Sequence, residues 1–291
     1  MDRPASAPSR ALTASRVNAF TVDVEDYFHV AALASAISRG SWSQREYRVE
    51  RNTECLMELL AEHGVHGTFF VLGWVAERSP ELVRRIAAAG HEVACHGYSH
   101  ELIYRQSREA FREETARAKG LLQDAIGQAV LGYRAASFSI VRDSLWALDE
   151  LIDLGFHYDS SIFAIRHDRY GIPDASPVPG KVTAPSGRAI LEFPMAPANF
   201  FGLKIPVTGG GYFRIFPYRL TLAGLRRINA AGQPFAFYLH PWEIDPEQPR
   251  VAVGMLSRFR HYTNLTRCQE RLRRLLSEFA FSPMDRILQT I

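Results

Sequence analysis

Apolar and polar positions follow two alternating patterns along the chain from residue 18 onward. Short apolar runs typical of buried strands are separated by segments whose apolar residues recur every three or four positions, as on one face of a helix. The predicted strands lie at 18–24, 65–73, 91–97, 130–135, 156–160, 190–195 and 235–240. The predicted helices lie at 52–64, 79–90, 107–126, 142–155, 218–231 and 265–279.

The ends of these segments carry ordinary helix signals. Pro80 follows Ser79 at the start of one helix and Gly90 follows its end, while Ser107 is placed to cap the long charged helix that comes next. A chain in which strands alternate with helices folds as a mostly parallel sheet with crossover helices. About seven such steps predict an α/β fold, a distorted TIM-like (β/α) barrel of about seven parallel strands, formed as one domain over 17–291.

Two stretches depart from this alternation. Residues 1–16 are rich in Arg, Ser, Pro and Ala and contain no apolar core, which predicts a flexible tail rather than a secretory signal. Residues 161–189 are rich in Pro, Gly, Asp and Arg, which predicts a long loop over one face of the sheet. No run approaches the ~18 apolar residues of a membrane span. These features together lead us to expect a soluble cytoplasmic protein.

Charge and cysteine content narrow the functional classes. The chain of 291 residues has 34 Lys and Arg against 31 Asp and Glu, a net charge of +3, and the charges are interspersed. A nucleic-acid partner is therefore not expected, because its electrostatic footprint is a clustered basic patch. The three cysteines, Cys55, Cys95 and Cys268, are far apart and form no C-x-x-C pair, which argues against a disulfide framework and against a cysteine zinc site.

Polar side chains with catalytic potential recur where predicted strands end. They are Asp23, Glu25 and Asp26 at the first strand, His96 and His100 at the third, Arg134 at the fourth, Asp159 at the fifth and His240 at the last. Because the carboxyl ends of parallel barrel strands meet at one rim, we expect these residues to converge. One carboxylate with two imidazoles makes a three-ligand divalent site that keeps a position open, typical of a catalytic metal. A second carboxylate could act as general base, and the third histidine could protonate a leaving group.

Several segments in this order resemble the polysaccharide deacetylases, carbohydrate esterase family four with the NodB-homology domain. Within that family the chain is most similar to the deacetylases associated with exosortase (XrtA, PEP-CTERM) exopolysaccharide loci. The segments that carry the resemblance are TVDVEDYF at 21–28, HGYSH at 96–100, GYRAASFS at 132–139, YDSS at 158–161, TGGGYFRIFPY at 208–218 and YLHPWEIDP at 238–246. They imply a NodB-type barrel whose family-specific part begins at about 160.

The resemblance implies that Asp23 is the catalytic base and that His96 and His100 are metal ligands. The third ligand should be an acid of the same first motif, either Glu25 or Asp26. Strand parity puts Glu25 on the face of Asp23, whereas a turn directly after the strand would bring in Asp26. Asp26 is preferred, because an aspartate is usual in this role in the family.

Further roles follow from the same comparison. Arg134 corresponds to the arginine that orients the base, and Asp159 to the acid that holds the catalytic histidine, His240. Trp242 could form an apolar wall against a sugar ring, and Tyr133 and His29 are also expected to contact substrate. The chain departs from the family at one position, Ala136, where proline is usual, and this changes the loop that would present backbone N–H groups to an oxyanion.

The implied activity is metal-dependent hydrolytic removal of N-acetyl groups from amino sugars of an exopolysaccharide or its precursor, with release of acetate. The implied cofactor is one divalent ion, and Zn²⁺ is the first expectation. The same donor set also binds Co²⁺, Ni²⁺ or Mn²⁺, so these ions are the alternatives. The implied partner is an N-acetylated saccharide. Two alternatives stay open: an allantoinase-like hydrolase of a non-sugar amide, and a non-catalytic sugar-binding relative.

Overall fold

The computed structural model describes residues 16–291, so the tail predicted at 1–16 lies outside the described residues except for Arg16. Within 16–291 the strands are β1 Val17–Val24, β2 Thr68–Val71, β3 Glu92–Cys95, β4 Gly132–Tyr133, β5 Tyr158–Asp159, β6 Gly180–Thr183, β7 Ala189–Glu192, β8 Ala198–Phe200, β9 Leu203–Ile205, β10 Ala236–Leu239 and β11 Ala280–Ser282. The α-helices of the same range are α1 Val49–Glu62, α2 Gly73–Arg78, α3 Pro80–Ala88, α4 Arg108–Ile126, α5 Ala147–Asp153, α6 Gly210–Ile215, α7 Tyr218–Ala230, α8 Met255–Tyr262, α9 Leu265–Glu278 and α10 Met284–Leu288.

The central sheet contains seven parallel strands in the order β10-β1-β2-β3-β4-β5-β7, which confirms the predicted α/β class. Strand β6 runs antiparallel to β7 at one edge, and β11 pairs in parallel with β1. Between residues 16 and 291 no strand pairing joins β10 to β7 or β6, so the sheet is open on that side. Strands from both sides of residue 160 lie in this one sheet.

Strand β1 shows why the sequence reads as apolar runs with polar ends. Every residue from Asn18 to Val24 is buried, because β1 lies between β10 and β2 and is covered on both faces. Phe20, Val22 and Val24 pack in the main core with the outer helices, whereas Ala19 belongs to a second core cluster on the other face. Asp23 has the same strand parity as Ala19, so its carboxylate lies on that inner face, at the carboxyl end.

Some elements were not predicted because they are short. The stretch 161–189 is not all loop, since it contains β6, whose four residues Gly180–Thr183 alternate between half-buried and exposed. The β8–β9 hairpin likewise has three residues per strand and places Phe201 almost fully exposed at its turn. Segments this short carry too few apolar positions to display a period. Of the helices between residues 16 and 291, none combines the length and apolarity that crossing a bilayer requires.

Candidate active site

An arginine and an aspartate form a fixed pair at the carboxyl end of the inner face. Arg134 Nη1 donates to Asp23 Oδ1 at 2.7 Å, and both side chains are almost completely buried. The remaining guanidinium contacts run to Thr21 Oγ1 at 2.8 Å, to the Ser160 carbonyl at 3.1 Å and to Ser160 Oγ at 2.9 Å. Because the planar guanidinium is held on three sides, Asp23 has one orientation, with its Oδ2 atom left for other contacts.

Glu25, His96 and His100 offer ligand atoms that all lie within 4.8 Å of one another. His96 Nδ1 donates to the Arg134 carbonyl at 2.8 Å, which leaves the Nε2 lone pair free for a metal. Glu25 Oε2 is buried and accepts no hydrogen bond of regular geometry, although His100 Nε2 lies 2.8 Å away. Two imidazole nitrogens and one carboxylate oxygen are the donor set of three-ligand divalent sites, so these residues fit the implied ion.

A turn, not a helix, brings the two histidines together. Gly97 and His100 both have positive φ angles, +73° and +53°, so the segment bends back on itself. The Gly97 carbonyl accepts from Gly73 N–H at 2.8 Å and the Tyr98 carbonyl from Trp74 N–H at 3.1 Å, which fixes the turn to the start of α2. The imidazole centroids of His96 and His100 are consequently 5.5 Å apart.

Asp26, the preferred third ligand in the sequence analysis, lies outside this cluster. Its Oδ1 accepts from Tyr27 N–H at 2.8 Å, and its Oδ2 accepts from Arg48 N–H at 2.6 Å and Val49 N–H at 2.8 Å. Asp26 therefore joins the end of β1 to the start of α1, and burial raises its pKa to about 6. The tight turn after β1, in which Glu25 N–H donates to the Asp23 carbonyl at 3.0 Å, leaves Glu25 as the acid beside the histidines.

Two residues that were expected to contact substrate are internal. His29 Nδ1 accepts from Asp26 N–H at 2.8 Å, and its ring packs edge-on against Trp42 and Trp74, so burial lowers its pKa to about 3. Tyr133 is 1% exposed and packs between Phe111 and Phe156 in the core. Both side chains are thus packed in the interior, His29 in the turn after β1 and Tyr133 at the end of β4, and a contact of either with substrate stays a prediction.

His240 faces the same centre from β10. Its Nε2 atom is 3.5 Å from Glu25 Oε1 and 3.9 Å from Asp23 Oδ2, while its Nδ1 atom lies 2.6 Å from Glu243 Oε1. Glu243 in turn accepts from Arg214 Nε at 2.5 Å, and all three members of this chain are internal or nearly so. Burial alone would lower the pKa of His240, but the carboxylates of Glu25 and Glu243 outweigh it and raise the pKa to about 9.

Asp159, expected to hold His240, has other partners. Its Oδ1 accepts from Ser161 Oγ at 2.5 Å, its Oδ2 accepts from Ser161 N–H at 3.3 Å, and its charge neighbours the carboxyl group of Glu192. The acid on His240 is Glu243 instead, and sequence reasoning missed both Glu243 and Arg214. Glu243 had a local signal in the sequence. His240 precedes Pro241 as the N-cap of a short helical turn, and an acid three residues after an N-cap residue can close a capping box. Arg214 had none, since it lies 29 residues before its partner.

The buried pair of Asp159 and Glu192 is expected to make stability depend on pH. Burial raises the pKa of Asp159 to about 6, and burial and the neighbouring Asp159 charge raise that of Glu192 well above its usual value. A carboxyl whose pKa is raised in the folded state contributes stability that is complete below the unfolded pKa and is lost as pH rises through the folded pKa. We expect the free energy of unfolding to fall by up to about 1.4 kcal/mol per pH unit above about pH 4 for each proton the folded state retains.

Glu192→Gln should remove most of the fall in the free energy of unfolding with rising pH. The amide of the glutamine can donate to Asp159 and accept from Ile162 N–H, and it does not titrate. The measurement is urea denaturation at pH 5, 6.5 and 8, with Glu62→Gln as a surface control, since Glu62 is 54% exposed. Equal pH slopes for the wild type and Glu192→Gln would rule out the pair as the source.

A cavity of about 250 Å³ opens beside His240 and Trp242. The Trp242 indole stacks between the imidazoles of His240 and His261, at centroid distances of 5.2 Å and 4.3 Å. Its Nε1 atom donates to Glu25 Oε1 at 3.3 Å. Trp242 thus lines the cavity and also contacts one acid of the cluster formed by Glu25, His96 and His100.

Comparison with known proteins agrees with this geometry. The polysaccharide deacetylase family model matches residues 43–156, and a family described as a domain of unknown function (DUF3473) matches residues 160–289. A peptidoglycan-N-acetylglucosamine deacetylase of Bacillus cereus is 31% identical over 34% of this chain and 36% of its own length. A chitooligosaccharide deacetylase of Bradyrhizobium sp. is 33% identical over 34% of this chain and 43% of its own. The matches span less than half the length of these two relatives.

Solved structures share the fold over almost the whole chain. A candidate polysaccharide deacetylase from Mycobacterium smegmatis superimposes with a TM-score of 0.64 at 20% identity, covering 99% of this chain and 94% of its own. A Puue allantoinase superimposes with a TM-score of 0.63 at 16% identity, covering 99% and 97%. The fold and the cluster of carboxylates and histidines at the strand ends define an α/β protein with a candidate metal centre. This chain is therefore similar to the polysaccharide deacetylases over residues 43–156 and to the DUF3473 family over residues 160–289.

Proposed function

We propose that this protein is a metal-dependent deacetylase that removes N-acetyl groups from amino sugars of an exopolysaccharide or its precursor and releases acetate. The exosortase-associated subgroup suggested by the sequence motifs is part of this proposal. One observation carries it: His240 Nε2 lies 3.5 Å from Glu25 and 3.9 Å from Asp23, on the rim where Glu25 also meets His96 and His100. A base, a ligand set and an acid are thereby within reach of a single amide bond.

The ligands of the ion would be Glu25, His96 and His100. A divalent ion bound there would supply an activated water nucleophile and a positive charge for the carbonyl oxygen. Zn²⁺ suits two imidazoles and a carboxylate, and Co²⁺, Ni²⁺ or Mn²⁺ can use the same donors. Glu25 is suited to the role because burial, which would raise its pKa, is outweighed by the neighbouring His100 and His240, which lower it and keep the carboxylate charged.

Asp23 is the proposed base. Arg134 occupies its Oδ1 atom, so Oδ2 is the atom that accepts the proton as the water oxygen attacks the acetamide carbon. The developing oxyanion would be received by the backbone N–H groups of Ala136 and Ser137, which have no acceptor within the described residues. Ser137 has a φ angle of +51°, which is a strained value for a residue other than glycine. The turn adopts this conformation with Ala136 at the position where proline is usual in the family.

His240 is the proposed acid. Glu243 holds its Nδ1 atom, so the protonated imidazole presents Nε2–H to the departing amine nitrogen as the C–N bond breaks. Glu243 stays ionised because Arg214 and His240 lower its pKa more than burial raises it. Acetate and a free amino sugar result. The substrates in the names of the two curated relatives, peptidoglycan N-acetylglucosamine and chitooligosaccharide, support an N-acetylated saccharide as the substrate class.

The test is acetate release from N-acetylglucosamine oligomers by protein loaded with Zn²⁺ or Co²⁺, then stripped with a chelator and reloaded. We expect stripping to lower the rate at least about a hundredfold, because the nucleophile loses its activation, and reloading to restore it. Allantoin is assayed in parallel, since one structural neighbour is an allantoinase. Turnover of allantoin alone would support the non-sugar amide hydrolase, and saccharide binding without any acetate would support the non-catalytic alternative.

A further inference from the structure

The cavity beside His240 contains two arginines that the mechanism above does not use. Arg169 comes from the stretch after β5 and Arg260 from the carboxyl-terminal half of α8, and both line the cavity while remaining half-buried. Within residues 16–291 neither guanidinium makes an ion pair with a carboxylate, in contrast to Arg134 with Asp23 and Arg214 with Glu243. These two charges are available to a ligand.

No acid of the cavity wall offsets them. Within the described residues the lining contains no Asp or Glu, and the third lining arginine, Arg214, is already neutralised by Glu243. Asp168, next to Arg169 in sequence, points to His167 with a distance of 2.9 Å. His167, Arg169 and Arg260 line the same cavity, and burial and the two arginine charges lower the pKa of His167 against the opposing effect of Asp168. The cavity therefore has an excess of positive charge.

Both arginines are attached to positioned backbone. Ile172 N–H donates to the Phe163 carbonyl at 2.9 Å, and Gly171, at φ +100°, lies so close to Ile165 that an added Cβ would be 2.3 Å from its carbonyl oxygen. The segment that carries Arg169 is thus folded tightly on itself. The Arg260 carbonyl accepts from Arg214 Nη2 at 2.9 Å, which connects that end of α8 to the chain Arg214–Glu243–His240.

Aromatic rings form the rest of the wall. Tyr170 stacks on His167 with centroids 3.9 Å apart, its hydroxyl lies 3.3 Å from that of Tyr212, and Trp242 closes the side next to His240. Rings with a polar edge suit the apolar faces and hydroxyls of a saccharide. Paired guanidinium groups suit a carboxylate or a phosphate, which they bind through two parallel N–H bonds.

We propose that this cavity binds an anionic group on the sugar unit adjacent to the N-acetylated one, held by Arg169 and Arg260, so that the preferred substrate is an acidic saccharide. This inference rests on the proposed function, because the cavity is placed by the catalytic His240. It names the substrate class as an N-acetylated saccharide that also carries a carboxylate or phosphate.

The first experiment compares acetate release from neutral N-acetylglucosamine oligomers with release from oligomers that alternate N-acetylglucosamine and glucuronic acid, and from oligomers in which a phosphorylated sugar is adjacent to N-acetylglucosamine. We expect kcat/KM to be higher for an acidic substrate, and Arg169→Gln or Arg260→Gln to lower that value about tenfold each while changing the neutral substrate less than about twofold. The matched controls are Arg166→Gln, on the same segment, and Arg258→Gln, on α8, because both arginines are exposed and neither lines the cavity. The acidic arm with the greater arginine dependence identifies the anion as carboxylate or phosphate.

The second experiment measures binding of the glucuronic-acid oligomer by titration calorimetry, without reference to turnover. Binding that weakens in Arg169→Gln and Arg260→Gln, but not in the controls, supports the anionic subsite. If the same protein releases no acetate, the subsite still stands and only the proposed deacetylase function fails. Acetate release from the neutral oligomer, with no preference for acidic substrates, overturns the subsite and leaves the function standing. Equal losses in Arg166→Gln and Arg258→Gln would also overturn it, because they would show only a general charge effect.

Discussion

Glu25→Ala is expected to leave the protein without bound metal and to lower acetate release at least about a hundredfold, because the nucleophile is no longer activated. The reason is geometric: Glu25 is the carboxylate whose oxygen lies within 4.8 Å of the ligand atoms of His96 and His100. Metal content after dialysis, measured by plasma emission spectroscopy, and acetate release on the same samples give the two readouts. A secondary effect on Trp242, whose indole N–H contacts Glu25, can be followed by fluorescence.

Asp26→Asn is the matched control for this prediction. Asp26 accepts hydrogen bonds from three backbone N–H groups, and neither of its oxygens belongs to the cluster of Glu25, His96 and His100. The variant should therefore keep its metal and its activity at temperatures at which it remains folded. Its free energy of unfolding should fall by about 1–3 kcal/mol, because the amide turns a donor toward an N–H group that loses its acceptor. Metal loss in Asp26→Asn with full occupancy in Glu25→Ala would reverse the assignment and restore the choice made from the family resemblance.

Glu243→Gln is expected to lower kcat for saccharide deacetylation about a hundredfold with metal content and KM little changed, since general acid catalysis is worth about 10²–10⁴-fold. The amide preserves the shape next to His240 but removes the negative charge that stabilises the protonated imidazole. Glutamine is chosen over alanine because a full truncation would also remove the side-chain oxygen that accepts from buried Arg214 Nε.

Two comparisons separate a loss of acid catalysis from a structural defect. An aryl acetate ester needs no protonation of its leaving group, so Glu243→Gln should retain much more of its activity on that ester than on the sugar amide. Asp159→Asn should keep kcat close to that of the wild type, since Asp159 contacts Ser161 and Glu192 rather than His240. A larger loss in Asp159→Asn than in Glu243→Gln would show that Asp159, not Glu243, controls His240.

The class of fold and most of the rim were predictable from local patterns. Strands buried on both faces appear as apolar runs, helices between them show the 3.6-residue period, and a parallel sheet must collect its strand ends at one edge. Asp23, His96, Arg134 and His240 lie at or next to the end of such a strand, His100 lies in the turn after β3, and the structure places them around one centre. The roles assigned to them stay predictions until the variants are measured.

The choice between neighbouring acids depended on contacts that no local pattern contains. Asp26 is held away from the histidines because the backbone N–H groups of Arg48 and Val49, more than twenty residues later, arrive beside it. Glu243 can stay charged in the interior beside His240 because Arg214 reaches it from α6. Adjacent residues on a chain differ little in sequence signal but can point in opposite directions after a turn. Only the tertiary structure decides which buried carboxylate meets a cation and which meets an amide, because an interior charge is tolerated only where its partner is present.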